Sequence, residues 1–526
     1  MSVTDTQPVR QKNMSHRHIT DTGLALAAVA GAAVKVVELG VARVLTPVFG
    51  GSITVWAIVI ATTMLALALG YAVGGYLADR FGGLTVASHA AIIGALLCMI
   101  IPFLRIPVID ATIDLSLLAG ATAGALVLIA PALFFFSQVS PALIRGLAED
   151  GVSHVGVTAG GIYAVSTLGS LVGTLGAVWL FLYTPITLGF IGMSLLVVLP
   201  ALLIRPKVGS VALLLICAVL GYLFLAAEPE QISGINERGN YCEVLYKGQS
   251  LYGELRVVEE KKRFRYLIVN GSDQGGLDLR DGSSAYRYVE GMIGLGNQYI
   301  DNPQNALIIG LGAGIMETEL SRAGIDVRVV EIDPTVIRVA REYFDFRGEA
   351  VAADGRRYLQ RETRSYDVIF LDAYLGSSPP WQLFTREAFA LYRDRLNPGG
   401  AVIINFIGSH LDAGQLPALE AVATTAGEVF SIVEAYPDPW EPDDYPTRNI
   451  YIAATDHARL QAQQEGDPWQ APTLTDALAR MRPLQLARSG VILRDDAAPL
   501  EPMVSRTTQY LRSRSSDYLP LNVHYY

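Results

Sequence analysis

Apolar residues dominate the first part of the chain, and charged residues are almost absent between positions 19 and about 226. A helix that crosses a bilayer needs about 20 mostly apolar residues. Apolar runs of about this length recur at 22–46, 53–78, 84–104, 117–144, 156–183, 185–204 and 210–226, the last being the shortest. The pattern predicts an N-terminal multi-pass α-helical membrane bundle of about seven spans, with the lipid bilayer as a partner.

The pattern changes beyond this bundle. Polar residues with Pro and Gly at 227–240 are typical of a linker. Apolar and polar residues then alternate at 251–259 and 264–270 around a basic, turn-prone segment, which predicts a β-hairpin. We therefore expect a polar N-terminal tail, a transmembrane domain, a linker, a small β region and a Rossmann-like domain with a C-terminal tail, at 1–18, 19–226, 227–240, 241–300 and 301–526 respectively.

From residue 305 onward, short apolar strands alternate with helical patterns, which is the signature of a parallel α/β sheet. Strands are predicted at 305–310, 327–333, just before Asp354, at 366–372 and at 401–405, with helices from about Ile315 and over 334–343. The second half is therefore predicted to be a Rossmann-like sheet of the adenosylmethionine-transferase type, preceded by the antiparallel hairpin region.

Candidate chemistry lies where these strands end. Gly310, Gly312 and Gly314 come after the first strand and would let the backbone approach a ligand closely. Glu331 ends the second strand about 20 residues later, where a carboxylate suits a ribose diol. Asp354 and Gly355, at the end of the third strand, complete the pattern of a nucleoside pocket at the carboxyl edge of the sheet. A nicotinamide dinucleotide is the less expected ligand, because Asp372 after the fourth strand would then have no role.

Composition narrows the possible functions. The net charge of −10 argues against a nucleic-acid partner, because phosphate binding needs a basic surface. Cys98, Cys217 and Cys242 have no CxxC neighbour, and the histidines have no HExxH spacing, so no metal site is expected.

The membrane half contains a few conspicuous residues. Lys35 and Glu38 share one face of the first helix, and either pair locally or line a pocket for a cationic solute. Gly169 and Gly173 have the spacing of close helix contact, which favours packing inside the bundle over dimerisation. Asp79 lies in a loop that resembles a short cytoplasmic loop of major facilitator transporters.

Over residues 240–455, the hairpin, the glycine loop, Glu331, Asp354 and the loop after Asp372 together resemble the spermidine synthase (polyamine aminopropyltransferase) family. The fused membrane half, with Asp495 and Asp496 near the C-terminus, is similar to a membrane-fused branch of that family, although the aspartate pair is interpreted as capping a turn. The resemblance implies transfer of an aminopropyl group from decarboxylated S-adenosylmethionine to putrescine or another amine, with release of methylthioadenosine. It implies a co-substrate and no permanently bound cofactor.

The resemblance also implies residue roles. Asp372 would take the proton of the amine, and Tyr288 and Glu290 would line the acceptor site, with a helix surface or a salt bridge as the alternative for Glu290. The resemblance also implies that the glycine loop and five further residues hold the nucleoside. These are Glu331 at the ribose, Asp354 and Gly355 at the adenine, Pro379 in the covering loop and Gln274 beside the donor.

Four positions depart from the family pattern. Ala313 and Leu375 stand where the family has Asp, Val289 where it has His, and Gly253 where it has Gln. Carboxylates anchor a dicationic diamine through charge-assisted hydrogen bonds. The resemblance therefore implies a retained donor site and a rebuilt acceptor site.

Two other functions remain open: an S-adenosylmethionine-dependent methyltransferase, and a transporter or sensor whose soluble domain only binds a nucleoside or a polyamine. Orientation is also open. Basic residues fall on alternate loops, at 10–17, 80, 145 and 205–207, which the positive-inside rule places in the cytoplasm, so seven spans would put the soluble domain outside. A donor made inside cells favours a cell-membrane protein with a cytoplasmic soluble domain, for which a homo-oligomer is a possible assembly.

Overall fold

The computed structural model divides the chain into two compact units, Met1–Glu230 and Gln231–Tyr526. The structure describes residues 7–49, 53–113, 115–149, 155–204, 219, 233–236, 239–374, 378–408, 416–440, 447–459, 481–504 and 507. The predicted seventh span at 210–226, apart from position 219, most of the predicted linker at 227–240, and Leu375 lie outside these residues.

The described part of the first unit is entirely helical. Its helices are α1 Gln7–Phe49, α2 Ile53–Phe81, α3 Gly83–Thr112, α4 Leu117–Leu128, α5 Ala130–Glu149, α6 Val155–Tyr183 and α7 Ile186–Ile204. Within the described ranges, five helices are long and apolar enough to cross a membrane, or six if α4 and α5, which meet at a bend of 49°, form one span. The multi-pass helical bundle is confirmed with five or six spans among the described residues, and the seventh predicted span at 210–226 stays a prediction.

Small residues bring α1 and α6 into close contact. A Cβ added to Gly169 would lie 2.0 Å from the carbonyl oxygen of Ala28, and one added to Gly173 would lie 2.5 Å from the Cα of Ala32. The Ser170 hydroxyl also donates a hydrogen bond to the Gly31 carbonyl oxygen over 3.0 Å. The two glycines therefore pack inside the bundle, as their spacing favoured.

The charges on α1 pair locally. Lys35 Nζ lies 2.7 Å from Glu38 Oε2, one helical turn away, and Glu38 is buried. This geometry agrees with the local pairing of the two residues, since the cation neutralises the buried carboxylate on its own helix.

The second unit begins with a five-stranded antiparallel sheet in the order β1-β2-β3-β4-β5. The strands are β1 Ser233–Ile235, β2 Tyr241–Gln249, β3 Glu254–Glu260, β4 Phe264–Val269 and β5 Ser272–Asp278. The predicted hairpin is β3 and β4, which pair from Leu255 with Val269 to Glu260 with Phe264. Strand β5 is an edge strand of this sheet.

A seven-stranded mixed sheet comes next, in the order β11-β12-β10-β9-β6-β7-β8. The strands are β6 Asn305–Ile309, β7 Asp326–Glu331, β8 Ala350–Ala352, β9 Tyr366–Leu371, β10 Leu396–Gly408, β11 Ile432–Pro437 and β12 Arg448–Thr455. The strands from β8 to β10 are parallel, whereas β12 and β11 run antiparallel to their neighbours. The Rossmann-like prediction is confirmed, and the antiparallel edge is an addition to it.

Helices cover both faces of this sheet. They are α8 Tyr288–Asn297, α9 Ile315–Arg322, α10 Pro334–Tyr343, α11 Gly355–Arg361, α12 Arg386–Asp394, α13 Leu416–Gly427 and α14 Leu500–Met503. Two clusters of buried apolar residues lie between the sheet and the elements that pack against it. The chain runs from β6 towards β8 on one side and from β9 towards β10 on the other, so the strand order reverses between β6 and β9. Ligands of open α/β sheets bind at such a reversal.

The C-terminal segment is tied to the sheet through Asp495. Its Oδ1 accepts hydrogen bonds from Arg356 over 2.5 Å and from the Thr385 hydroxyl over 2.8 Å. Leu493 and Leu500, on either side of it, are fully buried in the core. Asp495 thus clamps this segment to α11 and to the start of α12, which is more than the turn capping expected for the aspartate pair.

Candidate active site

The glycine loop connects β6 to α9 at the point of reversal. Gly310, Gly312 and Gly314 have φ angles of +97°, +55° and +82°, a region that residues with a Cβ avoid. A Cβ on Gly310 would lie 2.0 Å from the carbonyl oxygen of Asp372, and one on Gly312 would lie 2.3 Å from that of Gln274. Glycine is therefore required for contact with both backbones, and the loop brings together predicted site residues from three parts of the chain.

Glu331 is anchored beside this loop. Its Oε2 accepts a hydrogen bond from the Leu311 backbone N–H over 2.9 Å, and its Oε1 accepts one from the Asp333 N–H over 2.9 Å. Burial raises the pKa of Glu331, and these backbone donors oppose the rise. Each carboxylate oxygen can accept a second hydrogen bond, so the arrangement holds the carboxylate in place and leaves acceptor capacity for a diol.

Asp354 and Gly355 begin α11 close to β6. Asp354 caps the helix by accepting a hydrogen bond from the Arg357 N–H over 2.8 Å. A Cβ on Gly355 would lie 2.6 Å from Ile309 Cγ2, so only glycine lets the helix start this near the strand.

Tyr252 also belongs to this region, although it was missed at the sequence level. Burial raises the pKa of Tyr252, and the nearby negative charges of Asp333, Asp354 and Glu331 raise it further. Its phenol therefore lies within electrostatic reach of the three carboxylates. Tyr252 sits in the turn between β2 and β3, and its only sequence signal was a tyrosine next to Gly253, where the family pattern already failed.

Asp372 comes directly after β9 and lies beside the glycine loop. Its backbone N–H donates to the Ile309 carbonyl oxygen over 2.9 Å, and its Oδ1 accepts a hydrogen bond from Asn405 Nδ2 over 2.9 Å. The Tyr288 hydroxyl also hydrogen-bonds the carboxylate. Burial raises the pKa of Asp372, and the bonds from Asn405 and Tyr288 lower it in part. The result is a fixed carboxylate with a basicity above that of an exposed aspartate.

Asn405 was also missed at the sequence level. It lies on β10, next to β9 in the sheet, and is 4 % exposed. Its Oδ1 accepts no hydrogen bond among the described residues. The available signal was a polar residue after four apolar ones at 401–404, at the same sheet edge as Asp372.

The other predicted site residues, Tyr288, Glu290 and Pro379, lie in different surroundings. Tyr288 begins α8 beside Asp372, and burial with the charge of Asp372 raises its pKa. Glu290, two residues further along α8, has Arg287 and Glu319 as its charged neighbours, and burial raises its pKa. Pro379 is buried just before the 3₁₀ turn Trp381–Leu383.

Two of the departures from the family pattern point into the core. Ala313 and Val289 are each 3 % exposed and belong to the same apolar cluster. A Cβ added to Gly275 would lie 3.1 Å from the Cβ of Ala313, so the loop packs tightly against β5. The space beside Gly253 is filled by Asn270, whose side-chain oxygen would lie 2.2 Å from a Cβ there. Ala313 and Val289 are therefore closed by apolar packing, whereas an asparagine side chain occupies the space beside Gly253.

Comparison with known proteins shows which family and which relatives the C-terminal part of the chain is similar to. Residues 285–436 match the family described as "Spermine/spermidine synthase domain". A probable polyamine aminopropyl transferase of Bifidobacterium longum is 30% identical over 191 residues, covering 35% of this chain and 42% of that protein. Polyamine aminopropyltransferase 2 of Pseudomonas aeruginosa is 32% identical over 207 residues, covering 37% of this chain and 57% of that protein.

A third relative carries a different activity in its name. The N-terminal histidine N-methyltransferase of Emericella nidulans is 36% identical over 115 residues, which cover 20% of this chain and 21% of that protein. The chain spans about half the length of the two aminopropyltransferases it matches. The C-terminal part of this chain therefore contains a spermine/spermidine synthase domain, and its N-terminal part consists of helices apolar enough to cross a membrane.

Proposed function

We propose that the second unit transfers the aminopropyl group of decarboxylated S-adenosylmethionine to an amine and releases methylthioadenosine. The observation that carries the proposal is the Asp372 carboxylate, which Asn405 and Tyr288 hold at the reversal of strand order, in contact with the glycine loop. A fixed base beside a nucleoside loop is the arrangement that this transfer needs.

The chemistry asks little else of the protein. The amine nitrogen attacks the aminopropyl carbon bonded to the sulfonium, a C–N bond forms, and the C–S bond breaks with its electron pair returning to sulfur. The nitrogen then loses a proton, which Asp372 accepts. The donor is already electrophilic, so the site contributes orientation and proton acceptance. Because the pKa of Asp372 is raised, it lies closer to the pH at which the enzyme would work, and the carboxylate is a better proton acceptor.

The donor site in this proposal is built from the remaining predicted residues. Glu331 would accept hydrogen bonds from the ribose hydroxyls, for which its position beside the Leu311 N–H leaves capacity. Asp354 and Gly355 would meet the adenine, with Gln274 and Pro379 flanking the nucleoside. No permanently bound cofactor takes part.

We further propose that the helical unit anchors the protein in the cell membrane and that the second unit works in the cytoplasm, where its nucleoside donor is made. The amine acceptor would be putrescine or another amine. The packing around Ala313 supports an acceptor site that differs from that of the family.

Donor exchange tests the proposal against methyl transfer, the activity in the name of the Emericella nidulans relative. Purified full-length protein is incubated with decarboxylated S-adenosylmethionine or S-adenosylmethionine, each with a panel of amines, and products are measured by mass spectrometry. Aminopropyl transfer predicts methylthioadenosine that forms only when an amine is present. S-adenosylhomocysteine with a methylated product would support the methyltransferase, and nucleoside binding without any turnover would support a sensor.

A further inference from the structure

A row of tyrosine rings leads away from Asp372 over the small sheet. The ring centroid of Tyr288 lies 6.4 Å from that of Tyr286, which lies 5.7 Å from that of Tyr266. Phe264 extends the row, with its centroid 6.2 Å from that of Tyr266. The faces of such rings attract cations within about 6 Å.

Each tyrosine of the row hydrogen-bonds a carboxylate. Tyr288 bonds Asp372, the Tyr286 hydroxyl donates to Asp273 Oδ2 over 2.9 Å, and the Tyr266 hydroxyl donates to Glu260 Oε2 over 3.2 Å. Each tyrosine ring of the row is thus paired with a carboxylate, and the row begins at Tyr288, beside the proposed base.

The two outer carboxylates, Glu260 and Asp273, differ in how many hydrogen bonds they accept. Glu260 also accepts hydrogen bonds from the side chains of Asn236 and Asn240, so it is a structural junction at the end of β3. Asp273 keeps an exposed side chain, and the Tyr286 hydroxyl bonds one of its oxygens. Asp273 is therefore a solvent-facing carboxylate with acceptor capacity left for a cation.

A bulge in β5 sets the direction of Asp273. Leu267 pairs with Gly275 and Ile268 pairs with Asp273, which leaves Gln274 as the extra residue. Gly275 consequently faces the core against Ala313, while Asp273 turns to the other face, that of Tyr266 and Ile268. The same strand thus places Gln274 against the glycine loop and a carboxylate on the tyrosine row.

We propose that Asp273, with Tyr286, binds a second ammonium group of the acceptor, so that the acceptor is a linear diamine or polyamine lying along the tyrosine row from Asp372. The proposal rests on the aminopropyl transfer proposed above. Asp273 would thereby replace the carboxylate that the family pattern has at position 313, where this chain has alanine. An ammonium between a carboxylate and ring faces gains both charge-assisted hydrogen bonding and cation–π attraction. A monoamine has no second charge and gains nothing from Asp273.

Calorimetry on the full-length protein in detergent, saturated with methylthioadenosine, tests the proposal with putrescine, spermidine and propylamine as probes. Asp273→Asn should weaken binding of putrescine, of spermidine or of both by about 10- to 100-fold, because one charge-assisted contact is lost. Propylamine binding and methylthioadenosine affinity should not change. Tyr286→Phe, which keeps the ring and loses the hydroxyl, should give a smaller loss in the same direction.

Asp281→Asn is the matched control. Asp281 is an exposed aspartate in the next turn of the chain, where its Oδ1 accepts hydrogen bonds from Ser283. Its substitution removes the same charge from the same region and should leave amine binding unchanged. The proposal is overturned if the wild type binds neither putrescine nor spermidine, or if Asp273→Asn binds both as tightly as the wild type. Turnover decides the other question: a wild type that binds polyamines through Asp273 but transfers no aminopropyl group would refute the proposed function and leave the binding site standing.

Discussion

Asp372 is the residue on which the proposed chemistry depends, and its surroundings distinguish a base from a structural aspartate. A capping aspartate would bond the backbone of its own loop. Asp372 instead accepts hydrogen bonds from the side chains of Asn405 on β10 and Tyr288 on α8. Both partners come from distant parts of the chain and converge on a carboxylate at the edge of the sheet, which is how a catalytic group is held in one orientation.

Replacing Asp372 tests this role directly. Asp372→Asn keeps the shape of the side chain and removes the base, so turnover should fall by about 10²–10⁴-fold. Affinity for methylthioadenosine should stay nearly constant, because the nucleoside is assigned to other residues. Steady-state kinetics and calorimetry on the same preparation measure the two quantities. Loss of stability and nucleoside binding with unchanged turnover per bound donor would assign Asp372 a purely structural role.

Asn405 should set the pH at which Asp372 works. Its hydrogen bond stabilises the ionised carboxylate and therefore lowers the pKa of Asp372. Asn405→Leu removes that bond, so the pKa of Asp372 should rise. Because the base must be deprotonated, the acidic limb of the kcat profile should move to higher pH. Tyr288→Phe should move the acidic limb in the same direction. If the acidic limb stays in place or moves to lower pH in both variants, the assignment is contradicted.

At the scale of elements, local pattern accounts for the β3–β4 hairpin and for the parallel strands of the second unit. The strand predicted at 305–310 and the helix predicted at 334–343 agree within a residue with β6 and α10. The bend between α4 and α5 lies inside the apolar run at 117–144, but it has a sequence signal in Pro131, the second residue of α5, because proline interrupts a helix and favours the start of a new one. Asn405 and Tyr252 were missed for a different reason: what each side chain meets depends on which strands become neighbours, and a single sequence does not state that order.

The glycine loop offers a matched pair of substitutions at this scale. Gly310 and Gly324 both have positive φ angles, +97° and +87°, so alanine strains the backbone at either position. A Cβ at Gly310 would collide with the carbonyl oxygen of Asp372, whereas a Cβ at Gly324 would meet nothing within 4 Å. Gly324→Ala should therefore cost only backbone strain, about 1–2 kcal/mol, and preserve nucleoside binding.

Gly310→Ala adds a collision to the same strain, and this collision displaces the glycine loop, which is assigned to the nucleoside, as well as Asp372. It should abolish measurable methylthioadenosine binding and turnover, while its thermal unfolding temperature falls by no more than a few degrees below that of Gly324→Ala. Calorimetry and thermal unfolding compare the two variants. Equal nucleoside affinities in Gly310→Ala and Gly324→Ala would show that close contact between the loop and Asp372 does not shape the site.

For the whole molecule, the arrangement of helices bears on orientation. Counting α4 and α5 as one span gives six spans within the described residues. Asp79, near the end of α2, and Arg145, near the end of α5, form an ion pair of 2.8 Å, so these two helices end on the same side of the bundle. Arg80 and Arg145 then share that side, as the positive-inside rule requires of cytoplasmic loops.

Six spans also return the chain to the side on which it started. With six spans, the positive-inside rule would place the basic residues of the N-terminal tail and the pair Arg205 and Lys207 together on the cytoplasmic side. The stretch at 210–226 determines the side of the second unit: if this stretch crosses the membrane, the unit would lie outside, away from the proposed donor. We predict that it does not cross and that the C-terminus is cytoplasmic. Alkaline phosphatase and fluorescent protein fusions after Lys207, Glu230 and Tyr526 locate each point. All three should give fluorescence without phosphatase activity, whereas fluorescence after Lys207 combined with active phosphatase after Glu230 and Tyr526 would establish a seventh span and a domain on the outer face.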